Sequence, residues 1–150
     1  MRKGLFVGTF NPFTLGHDSI VRRTLALADR VVIGVAGDNV NKPGVPTAEE
    51  RAEPVRKLYA GEERVEVKTF SGLAADFAVA ERADFIVKGV RSVADFEYER
   101  QQAEWNRRLT GIETVLLVAE PALASLSSSA LRELQHFGVD ITPYLPTPAT

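Results

Sequence analysis

The chain has 150 residues, 45% hydrophobic and 25% charged, with a formal net charge of -2, as in an ordinary folded globular protein. We expect one domain over residues 1–150, because this length can build one full core. The net charge argues against a general nucleic-acid surface, and no apolar run approaches the length that spans a bilayer. The absence of cysteine excludes disulfides and thiolate-held metals and makes the cytoplasm the expected compartment.

The first predicted strand, residues 3–7, leads into a glycine- and proline-rich turn, Gly8-Thr-Phe-Asn-Pro-Phe-Thr-Leu-Gly-His17. An amphipathic helix pattern follows over residues 17–28. His17 thus falls in a first helical turn, where free N–H groups and the helix dipole attract phosphate. Such a turn alone is weak, and a histidine near a helix start is more often a solvated or capping residue. The combination Thr14-x-Gly16-His17 behind a strand favours phosphate binding.

Residues 30–36 predict a second strand, rich in β-branched side chains and nearly continuous, as buried parallel strands are. A polar turn follows and carries Lys42. Thr47-Ala-Glu-Glu50 forms a capping box that opens a helix towards Tyr59. Pro54 lies inside this pattern and is expected to kink or shorten the helix.

The alternation continues with a strand over 64–70, a helix over 73–82 and a strand over 84–87. The run Lys88-Gly-Val-Arg91 comes directly after this fourth strand and places two cations around Gly89. A glycine lets the backbone approach a ligand closely, and both cations suit phosphate, Arg91 through its guanidinium fork. Alone, the run would indicate a solvated basic turn, but its place at a strand end, level with His17, favours phosphate binding.

A long polar helix is predicted over 93–109, a fifth strand over 113–118 and a last helix over 127–137. The polar helix is either simply exposed or serves substrates or a subunit contact. Ser127-Ser-Ser129 opens the last helix, where N-capping explains one serine and a phosphate-holding helix end explains three. His136 is interpreted as a charge complement at the end of that helix. Two distant histidines make no metal-ligand set.

Strands that alternate with helices predict an α/β fold with a parallel sheet covered by helices on both faces. In such a sheet, ligands bind at the carboxyl ends of the strands, near the switch in strand order. The polar segments that follow the five strands are therefore expected to converge on one pocket that is shaped for anionic reactants.

The run Thr14-x-Gly16-His17 resembles the T/H-x-G-H signature of the nucleotidylyltransferase superfamily, whose members attack the α-phosphorus of a nucleoside triphosphate and release pyrophosphate. The glycine motifs of dehydrogenases and of P-loop enzymes do not occur in the chain. Nearly the whole chain is similar to bacterial phosphopantetheine adenylyltransferases. The other matching runs are Lys42 before Thr47-x-Glu-Glu-Arg51, Leu73-x-x-x-Phe-Ala78, Gly89-x-Arg-x-Val-Ala-Asp-Phe-Glu-Tyr-Glu99, Asn106-Arg107 and Ser127-Ser-Ser129.

This resemblance implies a single-domain, Rossmann-like nucleotidylyltransferase fold and a role in coenzyme A biosynthesis. The family joins ATP and 4′-phosphopantetheine into dephospho-coenzyme A and pyrophosphate. The resemblance also implies Mg²⁺ carried by ATP without dedicated protein ligands, a homohexamer, and coenzyme A as a candidate feedback ligand. Neither nucleic acid nor a membrane is an expected partner.

The resemblance assigns three groups of site residues. The catalytic group is His17, Arg91, Ser128 and Ser129. The ATP-binding group is Thr9, Phe10, His17, Gly89, Val90, Arg91, Glu99, Leu123, Ala124, Ser125, Leu126, Ser127, Ser128 and Ser129. The phosphopantetheine-binding group is Thr9, Lys42, Leu73 or Ala74, and Lys88.

Four features depart from the family pattern. Asn11 stands where aspartate is usual, which we expect to be tolerated. Lys88 replaces the usual arginine and keeps the charge but not the guanidinium fork. Leu123-Ala-Ser-Leu126 replaces a more aromatic stretch. The sequence ends soon after Tyr144-Leu-Pro146, where many relatives continue into another helix, and we expect this to affect only a peripheral element.

The expected reaction is direct in-line attack of the phosphopantetheine phosphate on the α-phosphorus of ATP, which needs no general base. An alternative is an adenylyl- or cytidylyltransferase for another acceptor, such as nicotinamide mononucleotide or glycerol phosphate, which Lys42 and the run Val93-Ala-Asp-Phe-Glu-Tyr-Glu99 oppose. A second alternative is a non-catalytic nucleotide-binding module, which Thr14-x-Gly16-His17 together with Arg91 opposes. A purely structural role explains none of the clustering at strand ends.

Overall fold

The central sheet has five strands, in a computed structural model that describes residues 1–37 and 44–148. The strands are β1 (Lys3–Gly8), β2 (Arg30–Gly37), β3 (Val65–Ser71), β4 (Phe85–Val90) and β5 (Glu113–Val118). All neighbouring pairs are parallel and the strand order is β3-β2-β1-β4-β5. The chain therefore builds outward from β1 to one edge and then returns to the other side of β1. The switch in strand order lies between β1 and β4.

Helices follow the strands and cover the sheet. They are α1 (Leu15–Thr24), α2 (Ala48–Leu58), α3 (Ala74–Ala80), α4 (Val93–Thr110) and α5 (Ser128–His136). Two short 3₁₀ turns lie at Pro121–Leu123 and Thr142–Tyr144. No helix within the described residues has the length and apolar character that a membrane crossing needs.

The core has two layers because side chains alternate between the faces of each strand. On one face, Phe6 and Ile33 pack with Val21 of α1 and Val55 of α2. On the other face, a smaller cluster includes Leu5, Val7, Val32 and Ile86 and is closed by Ala78 of α3. The predicted parallel sheet with helices on both faces is therefore confirmed.

Helix α1 covers Leu15–Thr24 rather than the predicted residues 17–28. Two other differences from the sequence-based expectation, in α2 and β4, have clear physical reasons. Pro54 lies inside α2, yet the helix continues to Leu58, so the expected shortening was wrong. The Thr47 cap and the buried side chains of Ala52 and Val55 oppose the loss of about 3 kcal/mol that an interior proline brings. The fourth strand continues to Val90 because residues 88–90 extend the ladder with residues 116–118 of β5.

Candidate active site

The first turn of α1 holds His17 in a fixed orientation. Thr14 caps the helix through its hydroxyl, which accepts the N–H groups of Gly16 at 3.1 Å and His17 at 3.3 Å. In return, Nδ1 of His17 accepts the Thr14 N–H at 2.9 Å. Because Nδ1 is an acceptor, this hydrogen-bond network assigns the proton of the neutral ring to Nε2.

The surroundings of His17 keep its imidazole neutral. Burial, followed by the positive charges of Arg91 and Lys88, lowers the pKa of His17 to about 4. The edge of the ring meets the Phe10 ring, with centroids 5.0 Å apart, and Phe13 lies 5.2 Å away. At neutral pH the site therefore presents an uncharged N–H donor rather than an imidazolium.

The turn between β1 and α1 has an unusual backbone. Phe10 has a φ of 52°, the left-handed region that a bulky residue rarely adopts. Its ring is 4% exposed and packs against Phe6 and Phe13. A Cβ added at Gly8 would lie 2.8 Å from that ring, so the glycine makes room for it. The turn is thus held by packing on the carboxyl end of β1.

A cavity of about 280 Å³ opens at the carboxyl edge of the sheet, where β1 and β4 are neighbours. The predicted site residues that line it are Thr9, Phe10, His17, Lys88, Gly89, Arg91, Glu99, Leu123, Leu126, Ser127 and Ser128. The predicted residues Val90, Ala124, Ser125 and Ser129 do not line it, and Lys42 lies outside the described residues. The structure thus brings His17 and Arg91 to the same cavity, although the sequence separates them by more than seventy residues.

Asp95, which the sequence analysis did not single out, also lines this cavity. Its carboxylate accepts Nε–H of Arg91 at 3.0 Å and the Arg91 backbone N–H at 3.1 Å. Ser92 caps α4 by accepting the Asp95 N–H at 3.1 Å. The spacing Ser92-x-x-Asp95 beside Arg91 is the signal that indicates this arrangement, because a capping pair places its acid at the helix start.

A second cavity of about 370 Å³ lies beside the first and is lined by Leu73 and Ala74. Three residues line both cavities: Val7, Lys88 and Glu99. The Lys88 ammonium lies 3.3 Å from the Glu99 carboxylate, whose residue is 8% exposed. This contact is made by Oε2 of Glu99, which has no partner with hydrogen-bond geometry among the described residues. The wall between the cavities therefore carries a buried carboxylate and a cation that a ligand phosphate can also attract.

The serines at the start of α5 divide their roles. Ser127 caps the helix by accepting the Ala130 N–H at 3.1 Å. The Ser128 hydroxyl donates to the Pro12 carbonyl at 2.8 Å, and Arg132 Nη1 donates to the Asn11 carbonyl at 2.6 Å. The beginning of α5 is therefore tied to the β1–α1 turn. The Ser129 hydroxyl lies 3.3 Å from that of Ser127.

These groups could bind two anionic reactants side by side. A neutral N–H donor, two cations and helix-start serines surround one cavity, and a second cavity shares one of the cations. Donors and charges that are fixed before the reactants arrive stabilise developing charge without reorganisation. No group of three or more His, Asp or Glu among residues 1–37 and 44–148 forms a metal-ligand cluster, and the cavity carboxylates Asp95 and Glu99 already face Arg91 and Lys88.

The chain is similar to known proteins over most of its length. The profile of the cytidylyltransferase-like family matches residues 5–134. The phosphopantetheine adenylyltransferase of Phocaeicola vulgatus is 51% identical over 97% of this chain and 96% of its own length. The enzymes of that name from Bacteroides fragilis and Clostridium perfringens are 49% and 42% identical, again over 97% of this chain and over 97% and 89% of their own lengths.

Solved structures share the fold at lower identity. A bifunctional NMN adenylyltransferase/ADP ribose pyrophosphatase from Francisella tularensis has a TM-score of 0.70 at 13% identity. The match covers 96% of this chain but 44% of that longer protein. The lipopolysaccharide core biosynthesis protein of Thermoplasma volcanium has a TM-score of 0.56 at 20% identity, over 80% of this chain and 97% of that one.

Proposed function

Since this chain belongs to the phosphopantetheine adenylyltransferases of the cytidylyltransferase-like family, we propose that it transfers the adenylyl group of ATP to 4′-phosphopantetheine. The products are dephospho-coenzyme A and pyrophosphate, as the sequence resemblance implies. Relatives of this name match nearly the full chain at 42–51% identity, which supports this reaction over other acceptors. We further propose that residues 1–150 form one catalytic domain.

The observation that carries the proposal is the pair of cavities with Lys88 and Glu99 in their common wall. ATP occupies the cavity that His17 lines, and the pantetheine arm occupies the cavity that Leu73 and Ala74 line. The acceptor phosphate then meets the triphosphate beside Lys88. Holding two anions next to each other in reactive geometry is the main demand of this chemistry, because a phosphate dianion is already nucleophilic.

In the proposed step, an oxygen of the acceptor phosphate forms a bond to the α-phosphorus, while the bond to the β-phosphate oxygen breaks. The leaving pyrophosphate keeps the electron pair. His17 donates Nε2–H to the α-phosphoryl oxygen as negative charge develops there. Arg91, with Ser128 or Ser129, stabilises the pyrophosphate, and of the two serines Ser128 lines the cavity. Arg91 gives up its hydrogen bonds to Asp95 in order to bind the pyrophosphate. Lys88 and Lys42 offset the repulsion between the reactants.

The remaining predicted contacts divide between the substrates. Thr9 and Phe10 contact ATP, and Thr9 also approaches the acceptor phosphate. Gly89 and Glu99 hold the adenosine side, as does the backbone of Val90, whose side chain is 7% exposed. The segment from Leu123 through Ala124, Ser125 and Leu126 to Ser127 closes over the nucleotide.

Magnesium fits this site as part of the nucleotide. Mg²⁺ prefers oxygen ligands and keeps several waters, so it is commonly held through substrate phosphates. Because Arg91 and Lys88 face Asp95 and Glu99, the cavity residues would hold the magnesium–ATP complex through its phosphates. When bound, the ion neutralises charge on the triphosphate.

The resemblance extends the proposal to the assembly and its setting. We propose a cytoplasmic homohexamer that coenzyme A inhibits by feedback. Large exposed apolar side chains on α4 support burial against other copies, since Tyr98, Trp105 and Leu109 are 62%, 57% and 60% exposed. Apolar groups that are exposed together on one element commonly mark an interface.

A comparison of acceptors tests the proposed function. Purified protein is incubated with MgATP and one acceptor at a time: 4′-phosphopantetheine, nicotinamide mononucleotide or glycerol phosphate. The proposal predicts rapid pyrophosphate release with phosphopantetheine alone. Faster release with another acceptor would assign the chain to a different nucleotidylyltransferase activity, and ATP binding without release would indicate a non-catalytic nucleotide-binding module.

A further inference from the structure

Arg51, near the start of α2, joins three segments of the chain. Its Nη1 donates to the carbonyl of Thr9 at 2.6 Å and to that of Ala36 at 2.8 Å. Its Nε donates to the carbonyl of Pro46 at 3.1 Å. These acceptors belong to the turn after β1, the end of β2 and the approach to α2. One planar guanidinium therefore fixes how the carboxyl ends of β1 and β2 lie relative to each other.

Of these three hydrogen bonds, the one to the Thr9 carbonyl bears on the site, because it fixes the orientation of the Thr9–Phe10 peptide plane. The Thr9–Phe10 peptide is trans, so its N–H points opposite to its carbonyl. With the Thr9 oxygen held by Arg51, the Phe10 N–H points away from α2. No residue of α2 lines the first cavity, whereas Thr9 and Phe10 both do.

The Phe10 N–H is also available for a ligand. It donates to no acceptor in the part of the chain that the structure describes. A left-handed φ at a non-glycine residue costs about 1–3 kcal/mol and persists only where the surroundings enforce it. The Arg51 bond on one side of Phe10 and the ring packing on the other supply that enforcement.

We propose that Arg51 is a positioning residue that orients the Thr9–Phe10 peptide so that the Phe10 N–H can donate to a phosphate of the nucleotide. This inference rests on the proposed adenylyl transfer. Arg51 is not among the residues that line the first cavity. It acts through the backbone, so its loss misplaces a donor without removing any side chain that meets the substrate.

The test compares Arg51→Ala and Arg51→Lys with Arg56→Ala as the matched control. Arg56 lies on the same helix, and its Nη1 donates to Glu49 at 2.8 Å on the surface. In the described part of the chain, it makes no hydrogen bond to the turn between β1 and α1. We expect Arg51→Ala to lower kcat about 100-fold, the scale expected for small misplacement of a reacting group. Arg51→Lys keeps the charge but not the fork, so we expect it to recover only part of that loss. Arg56→Ala should match the wild type.

Chemical rescue separates positioning from simple structural support. Millimolar guanidinium chloride can enter the space that Arg51→Ala leaves and should restore part of kcat, while leaving Arg56→Ala unchanged. Thermal unfolding of each variant gives its folded fraction at the assay temperature, and kcat is calculated per folded molecule. Wild-type kcat in a folded Arg51→Ala or Arg51→Lys protein would overturn the inference, as would a loss that follows the unfolded fraction and is not restored by guanidinium.

If the proposed reaction is wrong, the wild type itself is inactive, which distinguishes this case from a failure of the Arg51 proposal. If the wild type and Arg56→Ala make no product with any acceptor, the reaction itself is wrong, and ATP binding by calorimetry becomes the readout for Arg51. Weaker ATP binding by folded Arg51→Ala than by Arg56→Ala would then support the positioning role. Equal binding by the two variants would contradict it.

Discussion

His17 combines two roles in one side chain. Its Nδ1 completes the cap of α1 by accepting the Thr14 N–H at 2.9 Å, and this bond leaves the proton on Nε2, which we propose as the donor to the nucleotide. An imidazole kept neutral by burial and by neighbouring cations is a donor that needs no proton from solution. The chemistry proposed for the site depends on this tautomer.

Substituting His17 with asparagine separates its two roles. An asparagine amide oxygen can replace Nδ1 as acceptor of the Thr14 N–H, but it brings no donor to the position of Nε2. We expect His17→Asn to fold normally and to lose about 100- to 1,000-fold in kcat, as when one donor to a developing oxyanion is removed, with ATP affinity nearly unchanged. Steady-state kinetics and calorimetry measure the two quantities. A His17→Asn protein with wild-type turnover would remove His17 from the chemistry.

The titration of His17 provides a second prediction. We expect NMR of the free protein to show a ring that stays neutral down to a pKa of about 4. The chain has two histidines, so His136→Gln assigns the signals. An unfolded histidine takes up its proton near pH 6.5. His17 therefore contributes stability that is complete above pH 6.5 and is lost as the pH falls from 6.5 towards 4. A His17 signal that titrates near pH 6.5 would contradict the buried neutral state.

For individual residues, the sequence predicted which side chains lie together at the cavity. It did not predict the hydrogen bonds that orient them. The motif Thr14-x-Gly16-His17 and the strand-end position of Arg91 indicated the pair at the cavity. The bonds of Arg51 to the carbonyls of Thr9 and Ala36 have no sequence signature, because any backbone carbonyl is an equivalent acceptor.

Helices α1 and α2 are joined by a buried polar contact beneath the site. The Asp18 carboxylate, 9% exposed, accepts the Tyr59 hydroxyl at 2.6 Å and Nε–H of Arg22 at 2.8 Å. Burial and the bond to Asp18 raise the pKa of Tyr59 well above its ordinary value, so the hydroxyl stays a donor. Because Asp18 follows His17 directly, this contact also steadies the first turn of α1.

Removing that hydroxyl tests the contact between the helices. We expect Tyr59→Phe to lower the free energy of unfolding by about 1–3 kcal/mol, because a buried carboxylate loses a donor. Urea unfolding measures the change, and Tyr144→Phe, at a 37% exposed tyrosine outside both cavities, is the control that should stay within about 0.5 kcal/mol of the wild type. Equal stability of the two variants would show that Arg22 alone satisfies Asp18.

Element types followed from local patterns, whereas element ends often depended on distant partners. Within the described residues, the alternation of apolar strands and amphipathic helices gave the five strands and the five α-helices in the correct order, but not the two short 3₁₀ turns. The extension of β4 to Val90 depends on pairing with β5, and the continuation of α2 past Pro54 depends on burial of Val55. Neither influence is visible in a short stretch of sequence.

The whole molecule places two cavities at the switch in strand order, and their common wall depends on contacts between distant segments. Lys88 of β4 meets Glu99 of α4 at 3.3 Å, a pairing that the sequence analysis did not foresee, since it assigned the two residues to different substrates. The general location of the site could be predicted, because parallel sheets bind ligands at such a switch. The division into two compartments could not, because it depends on how α4 packs against the sheet.

Mass spectrometry of the products tests the central claim most directly. The wild type and His17→Asn are incubated with MgATP and 4′-phosphopantetheine whose phosphate oxygens carry ¹⁸O. Direct attack predicts dephospho-coenzyme A in equal amount to pyrophosphate, with acceptor-derived ¹⁸O in the bridge between the two phosphorus atoms, and far less of both from His17→Asn. Release of AMP and pyrophosphate without an adenylylated acceptor would contradict the account.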